Sequence, residues 1–308
     1  MSGRVLMLVL AGGVLVGCSS APPPAPPPPA LAEAERWAVA GARMSAAENW
    51  AAAARAWRQA ADRFASLRDD VREAVALHNL AGAERELGRF REAREPLERA
   101  ASLNARAGRT NDWWRNQVAL LQVRHGLGPD AALDAHLAEV ADRAPAIADP
   151  QVRALFQNEA GLWRLQRGEL DRAAACFEEA AVLFFRAGDR SGTAVVMANR
   201  ALLDEARGRP REAAERWRTA LAAFEALRDP AGIADALLGL GRSLTAAGED
   251  LGRAEEALRE AVRNYRTLGR PAAAQRALEQ LRLCLRTRGR TEEAGRLESE
   301  TPAPSGRE

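Results

Sequence analysis

The sequence predicts an all-α solenoid of about seven helical hairpins, with no β-sheet. Three observations carry that reading. From Leu31 to about Glu300 the chain is rich in Ala, Leu, Arg and Glu, with apolar residues at i, i+3 and i+4, the spacing of one helix face. Glycines punctuate these stretches at Gly88, Gly168, Gly208, Gly248 and Gly289, where the chain must turn tightly. A set of alanines, Ala53, Ala93, Ala131, Ala173, Ala213, Ala254 and Ala294, recurs at intervals of 40, 38, 42, 40, 41 and 40 residues. A period of that size marks an array in which each unit buries its apolar face against the next.

The first element is a leader. Residues 1–17 carry one positive charge, at Arg4, and then an apolar core from Val5 to Val16, the layout of a secretory signal peptide. The core is too short for a spanning helix, which needs about 20 residues. The run ends in Leu15-Val16-Gly17-Cys18, which resembles the bacterial lipobox. That resemblance implies a cysteine that is diacylglycerylated on sulfur, cleavage just before it, and acylation of the new amino terminus. Cys18 is thus the expected lipid attachment point, because several acyl chains anchor stably where one is marginal. Ser19 follows in place of the aspartate that the family associates with inner-membrane retention, so the resemblance places the protein on the periplasmic face of the outer membrane. In a host with a single membrane it implies the outer face of that membrane. An uncleaved anchor with an incidental cysteine is the alternative.

The second element is a spacer. Residues 18–30 hold Pro22–Pro24 and Pro26–Pro29, which favour an extended polyproline II strand that keeps the next domain roughly 35 Å from the lipid. A ligand for a proline-recognition domain is the other reading. The third element, residues 31–300, is the repeat array, and the tail TPAPSGRE (residues 301–308) has the composition of a disordered segment.

Within the array a small residue, then Gly, then Ala five residues later returns in Leu80–Leu103, Glu159–Phe184, Arg200–Phe224 and Gly239–Val262. Further small positions recur at Gly41, Ala81, Ala119, Gly161, Ala201 and Gly241, and at Ala60, Ala100, Ala138, Ala180, Ala220 and Ala261. A large apolar position recurs at Trp57, Leu97, Phe177, Trp217 and Leu258. These residues resemble the tetratricopeptide repeat in its longer form of about 40 residues, which implies a right-handed superhelical solenoid. HEAT-type repeats share the period and are the fold alternative. The third unit departs most, with Leu127-Gly128-Pro129 at its turn and a long exit over Ala144–Pro150; the seventh has Arg282 where a small residue belongs, as expected of a cap.

Composition narrows the function. All 44 basic residues are arginine, which excludes a phosphate-binding GxxxxGK[ST] loop and a Schiff-base lysine, and a formal net charge of +2 gives no footprint for nucleic acid. His78, His125 and His136 lack the HxxxH or HExxH spacing of a metal site. Cys176 and Cys284 lie three units apart, too far for a disulfide, and read as buried thiols. The expectation is therefore a non-enzyme with no cofactor, no metal, no nucleic-acid partner and no small-molecule substrate.

The resemblance implies binding of a protein or extended peptide along the concave face made by the first helix of each unit, where relatives with about 40 residues per unit use asparagines. Asn79, Asn116, Asn158 and Asn199 fall at the expected fifth or sixth place of that helix in four consecutive units. A carboxamide offers a donor and an acceptor, which suits a ligand backbone. His78, Arg85, Arg124, Glu159 and Arg200 lie near them and would read charge. The bland alternative is that the asparagines satisfy local loops or face water. Trp113 and Trp114, after the cap-like Thr110-Asn111-Asp112, are possible partner anchors, with packing between units as the other reading for at least one. Trp57, Trp163 and Trp217 read as packing residues. The expected molecule is a monomeric, lipid-anchored scaffold or adaptor in the cell envelope, and the resemblance points to pilus secretin, outer-membrane or peptidoglycan assembly. The alternative is a self-associating structural solenoid, with Leu281, Leu283 and Leu285 exposed at its end.

Overall fold

The computed structural model describes residues 27–299. Cys18, most of the proline spacer and the tail lie outside the described residues. Among those residues there are fourteen α-helices and no strand. In order they are α1 (Pro29–Ala46), α2 (Trp50–Ser66), α3 (Asp70–Glu86), α4 (Phe90–Arg106), α5 (Thr110–Leu127), α6 (Ala131–Asp142) and α7 (Pro150–Gln166). They continue with α8 (Leu170–Arg186), α9 (Arg190–Ala206), α10 (Pro210–Leu227), α11 (Pro230–Ala247), α12 (Leu251–Thr267), α13 (Pro271–Thr287) and α14 (Thr291–Ser299). A 3-10 turn at Ala144–Ala146 precedes α7. The chain forms two compact units, residues 27–159 and 160–299.

The array starts inside the expected spacer, because α1 takes Pro29 as its first residue. Proline suits that position: its missing N–H would have no intrahelical partner there, and its fixed φ is already helical. Most helices are 17 or 18 residues long, and outside the α6–α7 connection a residue with positive φ closes the turns at a spacing of about 20: Glu48, Arg68, Gly88, Gly108, Gly128, then Gly168, Gly188, Gly208, Arg228, Gly248, Gly269 and Gly289. At Gly88 (φ 72°) the chain reverses with Gly88 N–H donating to the Arg85 carbonyl at 2.9 Å and Arg89 N–H to the Glu84 carbonyl at 2.8 Å, satisfying carbonyls that the helix end would leave orphaned. Several next helices are capped by aspartate: Asp69, Asp130, Asp189 and Asp229 each accept from a backbone N–H of the first turn.

Hairpins close by setting a small residue of the first helix against a large one of the second. A Cβ on Gly41 would lie 2.6 Å from the Trp57 indole, and one on Gly161 would lie 2.5 Å from the Phe177 ring. The third hairpin breaks this rule, and its register differs from the expected one by two residues. Ala131 and Ala138 are exposed, while Leu133, Leu137 and Val140 fill the buried positions. The first-helix position is Leu121 rather than Ala119, which restores a uniform series of 41, 81, 121, 161, 201 and 241. With leucine at both Leu121 and Leu133, the helices of this pair approach less closely than those of the hairpins before it.

Buried charges cross-link neighbouring helices. Glu84 of α3 meets Arg58 (2.8 Å) and Arg89 (3.5 Å), Asp204 of α9 meets Arg209 (2.6 Å) and Arg216 (2.5 Å), and Glu255 of α12 is held by Arg259, Arg288 and Arg290. At the last hairpin Leu281 and Leu285 are buried and only Leu283, 51% exposed, faces outward, so the apolar end expected of a self-stacking solenoid is reduced to one side chain. No helix of the described residues is long and apolar enough to cross a membrane.

Candidate functional site

The four asparagines do not share one register. Asn79 and Asn199 are each the tenth residue of their helices, Asn158 is the ninth of α7 and Asn116 the seventh of α5, all deeper than the fifth or sixth place expected. All four are buried. Their surroundings separate them further. Asn116 is 0% exposed and has both ends of its amide engaged: its Oδ1 accepts from Asn104 Nδ2 of α4 at 2.9 Å, and its Nδ2 lies 3.1 Å from His78 Nδ1 of α3. It ties three helices together and is not free to meet a ligand. Asn158 donates to Glu159 Oε1 at 3.4 Å. Asn199, in the unit formed by residues 160–299, also has an interaction inside the protein.

Asn79 is the exception. It is 4% exposed, and neither its Oδ1 nor its Nδ2 has a hydrogen-bond partner. A buried amide left in this state costs about 1–3 kcal/mol, and Asn79 is the one of the four asparagines with both ends of its amide unbonded. His78, next to it on α3, is partly buried. Burial, and then the guanidinium charges of Arg85 and Arg115 against the opposing Asp112, lower its pKa to about 4. The imidazole is therefore neutral at physiological pH.

The same face carries a charged end. Arg85 sits seven residues beyond His78, two helical turns along the same side of α3, and no carboxylate lies within ion-pair distance of it among the described residues. Burial pulls its pKa down while Glu159 of α7 and Glu86 pull it up. Glu159 is itself buried and accepts from Gln122 Nε2 at 3.3 Å; His125 Nε2 lies 3.3 Å from its backbone carbonyl and 3.5 Å from its Oε2. His125 Nδ1 is buried without a partner. Asn104, Gln122 and His125 were not legible as members of this face: each stands in a variable helix position, and only the 40-residue equivalence of His125 with Arg85 would have pointed to one of them.

Other expected groove residues serve the framework. Arg124 is buried and forks onto Asp134 of α6, Nε to Oδ1 at 2.6 Å and Nη2 to Oδ2 at 3.0 Å, which locks the third hairpin. Arg200 reaches back to Glu178 of α8 at 3.8 Å. Trp114 is buried edge-on against Phe156 of α7 at 5.2 Å, so it packs between units. Trp113 is partly exposed, perpendicular to Trp114 at 4.7 Å and covered by the Arg143 guanidinium at 5.0 Å. Trp57, Trp163 and Trp217 are buried, and the indole N–H groups of Trp57 and Trp217 donate to Ser45 and Glu205. Cys176 and Cys284 are free, buried thiols; burial raises the Cys176 pKa against the pull of Arg164, whose Nη1 lies 2.7 Å from the sulfur. Among the described residues no group of three His, Cys, Asp or Glu side chains is placed to hold a metal ion.

No protein-family model matches the chain, and no curated protein matches it in sequence. Solved structures do. A Rap protein complexed with competence and sporulation factor superposes with a TM-score of 0.60 at 13% identity, over 87% of this chain and 78% of that one. A signal-transduction ATPase with numerous domains and a tetratricopeptide-repeat sensor, from Pyrococcus horikoshii, superposes with a TM-score of 0.64 at 16% identity, over 88% of this chain and 41% of that one. The fold is thus the all-helical tetratricopeptide-type array that the resemblance implied.

Proposed function

We propose that this protein is a recognition scaffold that binds an extended peptide or protein segment along the face formed by α3, α5 and α7, and that Cys18 tethers it by lipid to the bacterial envelope. The observation that carries the binding half is Asn79, a buried carboxamide with donor and acceptor both unused, next in sequence to the neutral His78 imidazole on a helix that also carries Arg85. A ligand backbone offers the matching carbonyl and N–H, and a charged ligand side chain would be read by Arg85 and Glu159. The similarly folded Rap protein is complexed with competence and sporulation factor, which supports a binding role for this array. The anchoring half rests on the order of charge, apolar run, small residue and cysteine at the amino terminus. An adaptor so placed belongs to envelope assembly: pilus secretin, outer-membrane protein or peptidoglycan machinery.

Selection of a displayed random decapeptide library on the full chain tests the binding half. Recovered peptides should lose affinity for Asn79→Ala and Arg85→Ala; a library that yields no binder, or binders indifferent to both changes, removes the reading. Metabolic labelling with palmitate tests the anchor, since label should enter the unaltered chain and be absent from Cys18→Ala.

A further inference from the structure

We propose that Asn104 and Asn116 are positioning residues that hold His78 as its Nε2–H tautomer, so that it donates one uncharged hydrogen bond to a main-chain carbonyl oxygen of the ligand beside Asn79. The inference rests on the peptide reading above for its ligand and on the protein alone for its tautomer.

The relay has a direction. Asn104 Nδ2 can only donate, so Asn116 Oδ1 is the acceptor in their 2.9 Å contact. In this arrangement the NH2 end of Asn116 points toward His78, where Nδ2 stands 3.1 Å from Nδ1. An NH2 group also only donates, so Nδ1 presents its lone pair and the single proton of the neutral ring sits on Nε2. Asn116 is fully buried, so water offers its amide no competing arrangement. No partner for Nε2 is found among the described residues, and His78 is only partly buried, so that N–H is the unengaged donor of the ring.

The chemistry of the donor follows. Arg85, Arg115 and Asp112 are the charged groups acting on the ring; burial and the two guanidinium charges outweigh the opposing carboxylate and keep it uncharged near neutrality. A neutral N–H suits a carbonyl oxygen, whereas a ligand carboxylate would be drawn to the nearby Arg85. His78 and Asn79 together would then read the ligand's main chain at two adjacent points, Asn79 supplying donor and acceptor and His78 a donor of fixed position.

Only three histidines occur in the chain, so histidine-selective 15N labelling of the full-length protein gives three imidazoles, and His78→Gln assigns the one of interest. Long-range 1H–15N correlation should show His78 as Nε2–H at pH 7. In Asn116→Asp a carboxylate faces Nδ1, so the proton should move there or the ring should become charged. In Asn104→Ala, Asn116 is free to turn and both tautomers should appear. A decapeptide selected on the unaltered chain should bind each variant roughly two- to tenfold more weakly, the loss of one neutral hydrogen bond. An Nδ1–H tautomer in the unaltered chain overturns the inference, and that measurement needs no variant to fold. A tautomer changed by Asn104→Ala with unchanged affinity overturns the donor role while leaving the peptide reading standing. Failure to select any peptide sinks the peptide reading and the ligand half of the inference, with the tautomer still decided by the spectrum.

Discussion

Replacing Asn79 by leucine should make the protein more stable, which is the reverse of what removing a buried polar residue ordinarily does. Leucine is close to asparagine in length and contains no atom that needs a partner. The native amide is 4% exposed with both polar atoms unbonded, a state that costs about 1–3 kcal/mol in the free protein. Leucine also gains about 0.5 kcal/mol in helix propensity at this mid-helix site of α3. The expected gain is about 1–3 kcal/mol, which for a chain of this size raises the unfolding midpoint by about 2–10 °C. Circular dichroism followed through heat and urea would read it, with the urea slope unchanged if compactness is unchanged. The same variant should fail to retain peptides selected on the unaltered chain. A midpoint that falls would show that the Asn79 amide is structurally bonded, and the case for an unfilled ligand site would go with it.

The framework gives further expectations. Asp134→Ala strands the buried Arg124 guanidinium and should cost about 3–5 kcal/mol, while Arg124→Met with Asp134→Leu recovers most of it; urea midpoints of the three variants check this. Gly239→Ala drives a methyl into the Trp217 indole and should destabilise by about 1–3 kcal/mol, whereas Gly252→Ala, with open space at its Cβ, should be neutral or stabilising by up to about 1 kcal/mol. Stability should also respond to acid through His78. Its folded pKa of about 4 lies below the ordinary 6.5, so the unfolded chain binds the extra proton between those values and stability falls as pH drops from 6.5 towards 4. His78→Gln should flatten that part of the profile, measured as the difference from the unaltered chain so that the carboxylates cancel.

The period was legible because helix-forming residues, turn glycines and small contact residues all repeat together. The third unit misled because alanine has two uses: Ala131 and Ala138 are exposed helix formers, and the contact sites hold Leu133 and Val140. Size alone could not tell a closely packed hairpin from a wider one. The turns at Glu48, Arg68, Arg228 and Asp250 adopt a left-handed conformation without glycine, so they carried no mark in the sequence. The asparagines showed a deeper limit. Sequence spacing put four on one kind of helix, yet whether a buried amide is bonded depends on residues outside the repeat pattern, such as Asn104 of α4 for Asn116 and the adjacent Glu159 for Asn158. A recurring residue type therefore did not tell which amide is left open.

The near-uniform distance between left-handed turns has a genetic consequence. A segment of 40 residues, cut or copied between equivalent turns such as Gly168 and Gly208, begins and ends in the same backbone conformation. Each hairpin depends chiefly on its immediate neighbours, so duplication of such a segment would lengthen the array without disturbing the joints. Point changes inside a hairpin must satisfy a close fit between a small and a large side chain, whereas a whole-unit change carries that fit with it. Copy number is thus the dimension along which a gene of this design can vary most freely.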